Sequence, residues 1–316
     1  MKAWITGITG FAGSFLAEKL LQSGYQVAGS SRSGKWHHLV KNRLLQKTPL
    51  WSWDLRHPPS KELKEFFLRY EPNTIFHLGA LSQPAQCGQA KPSTEASEVN
   101  VHGTNRICEL ATLLPNCPTL LFTSSSQVYR KKWRRSQEAY VDETAETFGH
   151  NGYSQTKLAA ETIVLDFAKN GGKGIVVRPF HHAGPRLQPT LMLSEWSRQL
   201  ACHQKTLTVR CRNSYLDLTD VRDVVVAYQQ LAESGKSGEI YNVGSGIIQR
   251  SGDLFDQLQE LAQSQAPVTT LQEGPQFEAI ASTKKLCQIL SWKPRIPLSQ
   301  TLADTLSYWQ QIEKTR

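Results

Sequence analysis

Short apolar runs alternate with longer amphipathic stretches through most of the chain. The runs have the length of buried strands, and they cover residues 2–6, 26–30, 50–53, 74–78, 119–124, 174–177 and 239–243. The stretches place apolar residues at helical spacing, and they cover residues 13–22, 98–114, 153–169 and 220–233. This alternation predicts an α/β fold, with a doubly wound parallel sheet of the Rossmann type covered by helices on both faces.

The regular alternation stops after residue 179. Pro179, Pro185 and Pro189 interrupt it, and the aromatic and basic residues that follow are irregularly spaced. We therefore expect a larger domain formed by residues 1–179 plus about 215–245. A smaller, interleaved C-terminal lobe is expected to take about 180–214 plus 246–316.

Composition narrows the class of protein. The chain has 316 residues and a net charge of +9, and none of its apolar stretches is long enough to span a bilayer. Its six cysteines form no CxxC pair, which favours reduced thiols over a zinc site or a disulfide framework. The first ten residues do not resemble a signal peptide. We expect a cytoplasmic protein without a membrane segment or a metal site.

A glycine-rich turn follows the first predicted strand at once and reads Gly7-Ile8-Thr9-Gly10-Phe11-Ala12-Gly13. Gly7 permits a tight turn, Gly10 lets the backbone approach a pyrophosphate, and Gly13 lets the next helix pack closely on the strand. The start of that helix offers free N–H groups to phosphates. The larger domain is therefore predicted to bind a dinucleotide, which leaves the smaller lobe for substrate.

The end of the second strand indicates which dinucleotide is bound. Proteins that bind NAD usually carry Asp or Glu there, whereas this chain reads Gly29-Ser30-Ser31-Arg32. A hydroxyl and a guanidinium bind a ribose 2′-phosphate, which a carboxylate would repel. The pattern favours NADP(H) over NAD(H), with the alternative that Arg32 stacks on adenine or lies in solvent.

Two further motifs predict a catalytic site. Tyr153 and Lys157 are four residues apart on a predicted helix, so the phenol and the ammonium share one face. The lysine charge would bring the tyrosine pKa toward the working range. A serine run at 124–126 ends the fifth strand, at the sheet edge where doubly wound folds bind ligands. A serine hydroxyl there could hold a substrate carbonyl beside the tyrosine.

Four further motifs accompany these along the chain, namely Asp54-Leu55-Arg56, His77-Leu78-Gly79-Ala80, Asn100-Val101-His102-Gly103-Thr104 and Arg178-Pro179-Phe180. In this order they resemble the extended short-chain dehydrogenases that act on nucleotide sugars, most of all the GDP-4-keto-6-deoxy-D-mannose reductases. The resemblance spans almost the whole chain. It implies NADPH-dependent reduction of a 4-keto-6-deoxy nucleotide sugar at C4. It also implies a homodimer built on the helices at 98–114 and 153–169.

The resemblance also implies roles for individual residues. Ser125 would bond the substrate oxygen at C4, Tyr153 would deliver the proton, and Lys157 would tune it. Beside Gly7, Thr9, Gly10, Phe11, Ala12 and Gly13, the implied cofactor contacts are Ser31, Arg32, Asp54, Leu55, Leu78, Gly79, Ala80, Asn100, Ser124 and Arg178. The implied substrate contacts are Ser82, Gln127, His181, Arg186 and Arg210.

The substrate side departs from that family. Gln127 stands where dehydratases carry an acid, and an amide cannot exchange the protons that dehydration requires. Leu216 replaces an arginine that grips the substrate diphosphate, and His181 replaces an asparagine. The missing charge could come from Arg186, Arg210, Arg212 or the basic run at residues 130–135.

Two other functions stay open at this point. A nucleotide-sugar 4-epimerase would use the same catalytic residues with a tightly bound NAD. A non-catalytic protein that senses dinucleotide, or that binds nucleic acid through the basic run at 130–135, would belong to a different class. A solvated loop is the commoner role of such a run, so nucleic acid is the less favoured partner.

Overall fold

The computed structural model describes residues 1–36, 40, 42–131 and 139–315. The strands are β1 (Lys2–Thr6), β2 (Gln26–Ser31), β3 (Leu50–Ser52), β4 (Thr74–His77), β5 (Thr119–Thr123), β6 (Tyr140–Val141), β7 (Lys173–Pro179), β8 (His181–Ala183), β9 (Leu207–Val209), β10 (Ser214–Asp220), β11 (Ile240–Val243), β12 (Ile248–Arg250), β13 (Val268–Thr270), β14 (Gln276–Phe277) and β15 (Ile280–Ala281).

The α-helices are α1 (Phe11–Gln22), α2 (Arg43–Gln46), α3 (Lys61–Tyr70), α4 (Thr94–Ala96), α5 (Gly103–Thr112), α6 (Gly152–Lys169), α7 (Met192–Ala201), α8 (Val221–Ser234), α9 (Ser251–Leu261), α10 (Lys284–Leu290) and α11 (Leu298–Lys314). A π-helical segment, Ser97–His102, joins α4 to α5. Short 3₁₀ turns cover Pro84–Gln86 and Ser126–Val128. Among the residues that the structure describes, no helix is long and apolar enough to cross a membrane.

The central sheet has seven parallel strands in the order β11-β7-β5-β4-β1-β2-β3. At the carboxyl end of β1, Thr6 pairs with Ser30 of β2 on one side and with His77 of β4 on the other. The strand order reverses at this point, and such a switch opens a crevice beyond the strand ends. The predicted doubly wound α/β fold is confirmed.

Helices cover both faces of this sheet. On one face α1 and α8 bury Leu16, Leu20 and Val224 among the inward side chains of the strands. On the other face α3, α5 and α6 bury Phe67 and other apolar side chains. Each fully buried leucine or phenylalanine contributes about 1.5–3 kcal/mol relative to exposure, so these two cores hold the strand ends in fixed relative positions.

A smaller core forms outside the central sheet. Strands β8, β10, β12 and β14 make one small sheet, and β9 pairs with β13. Their apolar side chains pack with α7, α9 and α11, and Trp196 meets Phe255 edge to face at 5.3 Å. The division into two domains stays a prediction, with two differences of detail. β10 pairs in the small sheet, whereas α10 buries Leu286 in the core of the larger one.

Candidate active site

The turn between β1 and α1 is shaped by its glycines. Gly7 has φ +68°, and a Cβ there would lie 2.8 Å from the backbone nitrogen of Gly79. A Cβ on Gly13 would lie 2.2 Å from the Gly7 carbonyl oxygen. Gly10 caps α1 without any side-chain hydrogen bond, and the first turn of α1 carries no acidic residue. The helix N-terminus is therefore open to an anion, as a pyrophosphate requires.

A chain of hydrogen bonds fixes the loop after β4 beside this turn. The Gly79 N–H donates to Thr6 Oγ1 at 3.1 Å, and Thr6 Oγ1 lies 2.6 Å from His77 Nδ1. His77 Nε2 lies 3.0 Å from Thr104 Oγ1, which donates to the Asn100 carbonyl. Burial, assisted by the Lys157 charge, lowers the pKa of His77 to about 3. His77 is thus a neutral link that holds the segment Leu78-Gly79-Ala80 against the glycine turn.

The end of β2 fits the ribose of a dinucleotide. Ser31 is buried, and its hydroxyl has no hydrogen-bond partner among the described residues. A buried hydroxyl without a partner is costly unless a ligand or a water supplies one. The next residue, Arg32, is three-quarters exposed, and its guanidinium lies 4.0 Å from Glu95.

The segment after β3 carries Asp54 and Leu55, whose expected contact with the cofactor stays a prediction. Leu55 is buried and closes on Gly79, where an added Cβ would lie 2.9 Å from the Leu55 Cδ1. Asp54 accepts a two-pronged hydrogen bond from Arg56, which holds the pKa of Asp54 below its usual range. The Arg56 guanidinium also lies 3.9 Å from Glu95. Arg32 and Arg56 therefore share one carboxylate, a contact that the sequence did not indicate.

Helix α6 carries the predicted catalytic pair, and the start of this helix is fixed from two sides. Asn151 caps the helix by accepting from the Ser154 N–H at 3.0 Å. A Cβ on Gly152 would lie 1.9 Å from the Cys87 carbonyl oxygen, so this position tolerates no side chain. Tyr153 and Lys157 follow one turn apart, and both are buried.

The structure brings Ser125, Tyr153 and Lys157 together. The Lys157 ammonium donates to the Thr123 carbonyl at 2.7 Å and lies 5.9 Å from the centre of the Tyr153 ring. Burial lowers the pKa of Lys157 to about 8. Burial also raises the pKa of Tyr153 to about 12, although the hydrogen bond with Ser125 opposes that rise. At neutral pH the tyrosine therefore keeps its proton, so the expectation that the Lys157 charge brings the Tyr153 pKa toward the working range is not met.

Asn100 ties the loop after β4 to the catalytic helix. Its Oδ1 accepts from the Leu81 N–H at 2.8 Å, and its Nδ2 donates to the Leu81 carbonyl and to Thr156 Oγ1. Thr156 lies on α6 between the two catalytic residues. Asn100 itself lies in the π-helical segment, and such segments often occur at functional sites. Its side chain orders the site, while its expected contact with the cofactor stays a prediction.

Ser124 and Arg178 meet at a buried carboxylate. Arg178 Nη2 lies 2.7 Å from Glu161 Oε2, and Ser124 Oγ donates to Glu161 Oε1 at 2.5 Å. The Arg178 guanidinium also lies over the Tyr129 ring at 4.9 Å. Both side chains thus belong to the framework behind the site, and their contact with a cofactor stays a prediction. Sequence reasoning missed Glu161, which lies one helical turn beyond Lys157.

The expected substrate residues are not all in one place. Gln127 lies two residues after Ser125 in the 3₁₀ turn, His181 lies on β8, and Ser82 is exposed in the loop after β4. Arg186 is held elsewhere, with its guanidinium 2.9 Å from Glu18 and over the Phe15 ring. Arg210 lines a separate cleft of about 560 Å³ together with Thr190, Glu195, Thr208, Leu271 and Gln272.

The structure also places Leu216 and the remaining cations that were candidates for binding the substrate diphosphate. Leu216 is buried in the small core, and Arg212 pairs with Asp256. Within the basic run, Arg130 pairs with Glu146 and Lys131 pairs with Glu278, whereas 132–135 lie outside the described residues. The nucleic-acid hypothesis depends on that run and stays a prediction. In the part of the chain that the structure describes, no three His, Cys, Asp or Glu side chains are grouped to hold a metal.

Comparison with known proteins agrees with this geometry. Residues 3–244 match the model of the NAD dependent epimerase/dehydratase family. GDP-6-deoxy-D-mannose reductase of Pseudomonas aeruginosa is 28% identical over 251 residues, which cover 76% of this chain and 81% of that protein. RMD from Pseudomonas aeruginosa, complexed with NADPH, superposes with a TM-score of 0.81 at 24% identity, over 98% of this chain and 99% of that one. UDP-glucose 4-epimerase from Thermotoga maritima, with UDP-glucose, superposes with a TM-score of 0.86 at 21% identity, over 99% of this chain and 100% of that one.

The chain therefore belongs to the NAD dependent epimerase/dehydratase family. Members of this family are NAD(P)-dependent enzymes that act on nucleotide sugars. The resemblance read from the motifs is confirmed, as is the expectation of a nicotinamide-dependent oxidoreductase acting on a nucleotide sugar. The likeness to the solved structures, below 25% identity, shows the fold alone.

The glycine turn gives a test that separates cofactor binding from folding. In Gly10→Ala the new Cβ would lie 3.1 Å from the Gly7 carbonyl oxygen, a tight contact that a small shift relieves. We expect the free energy of unfolding to change by about 1 kcal/mol or less, while NADPH affinity falls about tenfold or more because the methyl group fills the pyrophosphate position. Thermal melting and NADPH fluorescence measure the two quantities. An unchanged affinity in a folded Gly10→Ala would contradict the assigned pyrophosphate position.

The lysine pKa predicts the alkaline limit of activity. Because Lys157 has a pKa of about 8, its ammonium form dominates below that pH and is lost above it. We expect kcat/KM for NADPH, which reports ionisations of the free enzyme, to fall as the pH rises through about 8. A profile that stays flat to pH 10 would show that the Lys157 charge is not required.

Proposed function

We propose that this chain is an NADP(H)-dependent reductase of a 4-keto-6-deoxy nucleotide sugar, with GDP-4-keto-6-deoxymannose as the substrate. The observation that carries the proposal is the placement of Tyr153, which is buried in contact with Ser125 and lies one helical turn from the Lys157 ammonium. A phenol with a pKa of about 12 is a proton donor at neutral pH, as ketone reduction requires.

The residues of this site divide the proton chemistry among them. A bound nicotinamide supplies the hydride. Ser125 donates a hydrogen bond to the ketone oxygen and orients it toward Tyr153, which gives its proton to the developing alkoxide. Lys157, tethered to the Thr123 carbonyl, stabilises the phenolate that results. Gln127, adjacent to this set in the 3₁₀ turn, cannot serve as the acid or base that dehydration needs.

NADP(H) is the proposed cofactor form because of the groups at the end of β2. The buried, unpartnered hydroxyl of Ser31 and the exposed guanidinium of Arg32 suit a 2′-phosphate. In Arg32→Ala we expect KM for NADPH to rise about tenfold, while KM for NADH changes less than twofold, because only NADPH carries the phosphate. Initial rates with both cofactors measure this. An equal loss with both would show that Arg32 does not contact the 2′-phosphate.

One observation favours a second candidate, a 4-epimerase with tightly bound NAD. Glu95 places a carboxylate within 4.0 Å of Arg32 and 3.9 Å of Arg56. A carboxylate at the ribose accepts hydrogen bonds from the hydroxyls of NAD and repels the phosphate of NADP. The same Ser125, Tyr153 and Lys157 would serve the oxidation and re-reduction that an epimerase performs.

Cofactor consumption separates the two candidates. On adding GDP-4-keto-6-deoxymannose to the enzyme and NADPH, a reductase consumes one NADPH per sugar, whereas an epimerase shows no net consumption. Purified protein that carries NAD and interconverts nucleotide hexoses without added cofactor would overturn the reductase.

Two features of the cellular context belong to this proposal. The six cysteines, all in the described part of the chain, form no disulfide, as in proteins of a reducing compartment, which supports a cytoplasmic location. Helices α5 and α6 pack side by side on one face of the sheet, where they could pair with their copies in a homodimer.

A further inference from the structure

An ion pair joins the segment after the catalytic serine to the small sheet. The Lys131 Nζ lies 2.7 Å from Glu278 Oε2, although the two residues are 147 positions apart in the chain. The Lys131 N–H donates to His150 Nε2 at 3.0 Å, and His150 lies three residues before Tyr153. The Lys131 backbone is therefore fixed close to the start of helix α6, and its side-chain ammonium contacts a residue of the small sheet.

Glu278, the partner of Lys131, lies beside Leu216 in the small sheet. Its N–H donates to the Tyr215 carbonyl at 2.9 Å and continues the parallel pairing in which Phe277 lies opposite Tyr215. Glu278 is thus the residue that stands beside Leu216 on the neighbouring segment. Leu216 is buried and neutral, whereas Lys131 brings a positive charge to this place through its ion pair with Glu278.

His181 completes the group from a third element. It lies on β8, opposite Leu218 of β10. Burial lowers the pKa of His181, and the charges of Glu278, Lys131 and Asp217 all act on it. Asp217 does not compete for Lys131, because its carboxylate accepts from Ser245, Gly246 and Ala281.

Three other cations near the small core have carboxylate partners of their own. Arg186 pairs with Glu18, Arg212 with Asp256, and Arg222 with both Asp220 and Asp304. The Lys131 and Glu278 side chains are 41% and 32% exposed, so a stronger anion can reach this pair from solvent. A nucleotide sugar carries a diphosphate. Binding of that group requires a cation that can leave its carboxylate partner and pair with the phosphates instead.

We propose that Lys131 and His181 bind the substrate diphosphate, and that Glu278 is an internal counter-ion which the diphosphate displaces from Lys131. The inference rests on the proposed nucleotide-sugar substrate and adds the residues that recognise its phosphates. Glu278 then lowers the affinity for an anionic ligand at this place, because Lys131 must first leave its carboxylate.

Isothermal titration with GDP tests the assignment without any turnover, and guanosine serves as the uncharged probe. In Lys131→Met we expect GDP affinity to fall about tenfold or more, the effect of losing one charge-assisted hydrogen bond. Lys131→Arg should restore affinity to within about threefold, since it keeps the charge. Glu278→Gln should bind GDP about threefold or more tightly, because the competing carboxylate is gone. Guanosine and NADPH affinities should not change in any of the three.

Lys285→Met is the matched control. Lys285 Nζ lies 2.6 Å from Glu239 Oε2, with similar exposure, in an ion pair built from other elements. We expect its GDP affinity to equal that of the wild type. Unchanged GDP affinity in Lys131→Met, or weaker binding in Glu278→Gln, would overturn the proposal.

The nucleotide panel separates this inference from the proposed function. If UDP or CDP binds in place of GDP and Lys131→Met weakens that ligand, the diphosphate site stands while the GDP-sugar substrate falls. If no nucleoside diphosphate binds the wild-type protein, both fall. His181→Asn is expected to weaken the ligand less than Lys131→Met, since a neutral amide can still donate one hydrogen bond.

Discussion

Replacing Tyr153 by phenylalanine is expected to lower kcat for the keto sugar by about 10²–10⁴-fold. The phenol is buried in contact with Ser125 and keeps its proton at neutral pH, so the variant loses the group that protonates the alkoxide. The ring remains, and NADPH affinity should stay within about threefold. Single-turnover rates and NADPH fluorescence measure the two effects. Turnover above a tenth of the wild-type rate would contradict the assignment of the proton donor.

Tyr129→Phe provides the control for that experiment. Tyr129 is also a buried tyrosine close to the site, and its hydroxyl donates to Asn242 Oδ1 at 2.6 Å. Removing the Tyr129 hydroxyl should lower the free energy of unfolding by about 1 kcal/mol, the usual net contribution of one hydrogen bond. Its kcat should stay close to that of the wild type. The contrast between the two variants separates proton donation from the packing of a buried phenol.

Replacing Glu161 by glutamine is expected to give the largest loss of stability among these predictions. The carboxylate accepts from Arg178 Nε at 2.9 Å and Nη2 at 2.7 Å and from Ser124, and both charged side chains are about 5% exposed. Glutamine leaves the guanidinium buried without its counter-charge, which costs about 3–5 kcal/mol. Urea unfolding followed by circular dichroism measures the change.

The exposed ion pair of Arg212 and Asp256 is the matched comparison. The Asp256 side chain is 53% exposed, so Asp256→Asn should change the free energy of unfolding by about 1 kcal/mol or less. Equal losses in Glu161→Gln and Asp256→Asn would show that the buried pair contributes no more than a surface pair. Since Ser124 precedes Ser125, Glu161→Gln should also lower kcat, whereas Asp256→Asn should not.

The strands and helices of the central sheet could be predicted because their local pattern and their burial agree. The apolar run predicted as a strand at 2–6 is β1, and the helix predicted at 153–169 is α6 with one residue added. Helix α3 was missed, because only Leu63 and Phe67 are buried in a segment rich in charge. The N-cap Ser60, whose side chain accepts from the Leu63 N–H, was the available signal.

The cofactor side of the site followed from local motifs, whereas the charge partners did not. A glycine turn and a YxxxK spacing each lie within one element, so sequence order is enough to place them. The partners Glu161, Glu278 and Glu95 depend on which elements the fold brings together. Arg186 illustrates the limit, because sequence position placed it near substrate while the fold pairs it with Glu18 on α1.

Isotope transfer from NADPH that carries deuterium at both hydrogen positions of nicotinamide C4 tests the central claim most directly. The proposed reductase should place one deuterium at C4 of the sugar for each NADPH consumed, and mass spectrometry of the product reads this out. Tyr153→Phe should yield neither label nor consumption in the same time. Sugar product without deuterium, or isomerisation without loss of NADPH, would contradict the account.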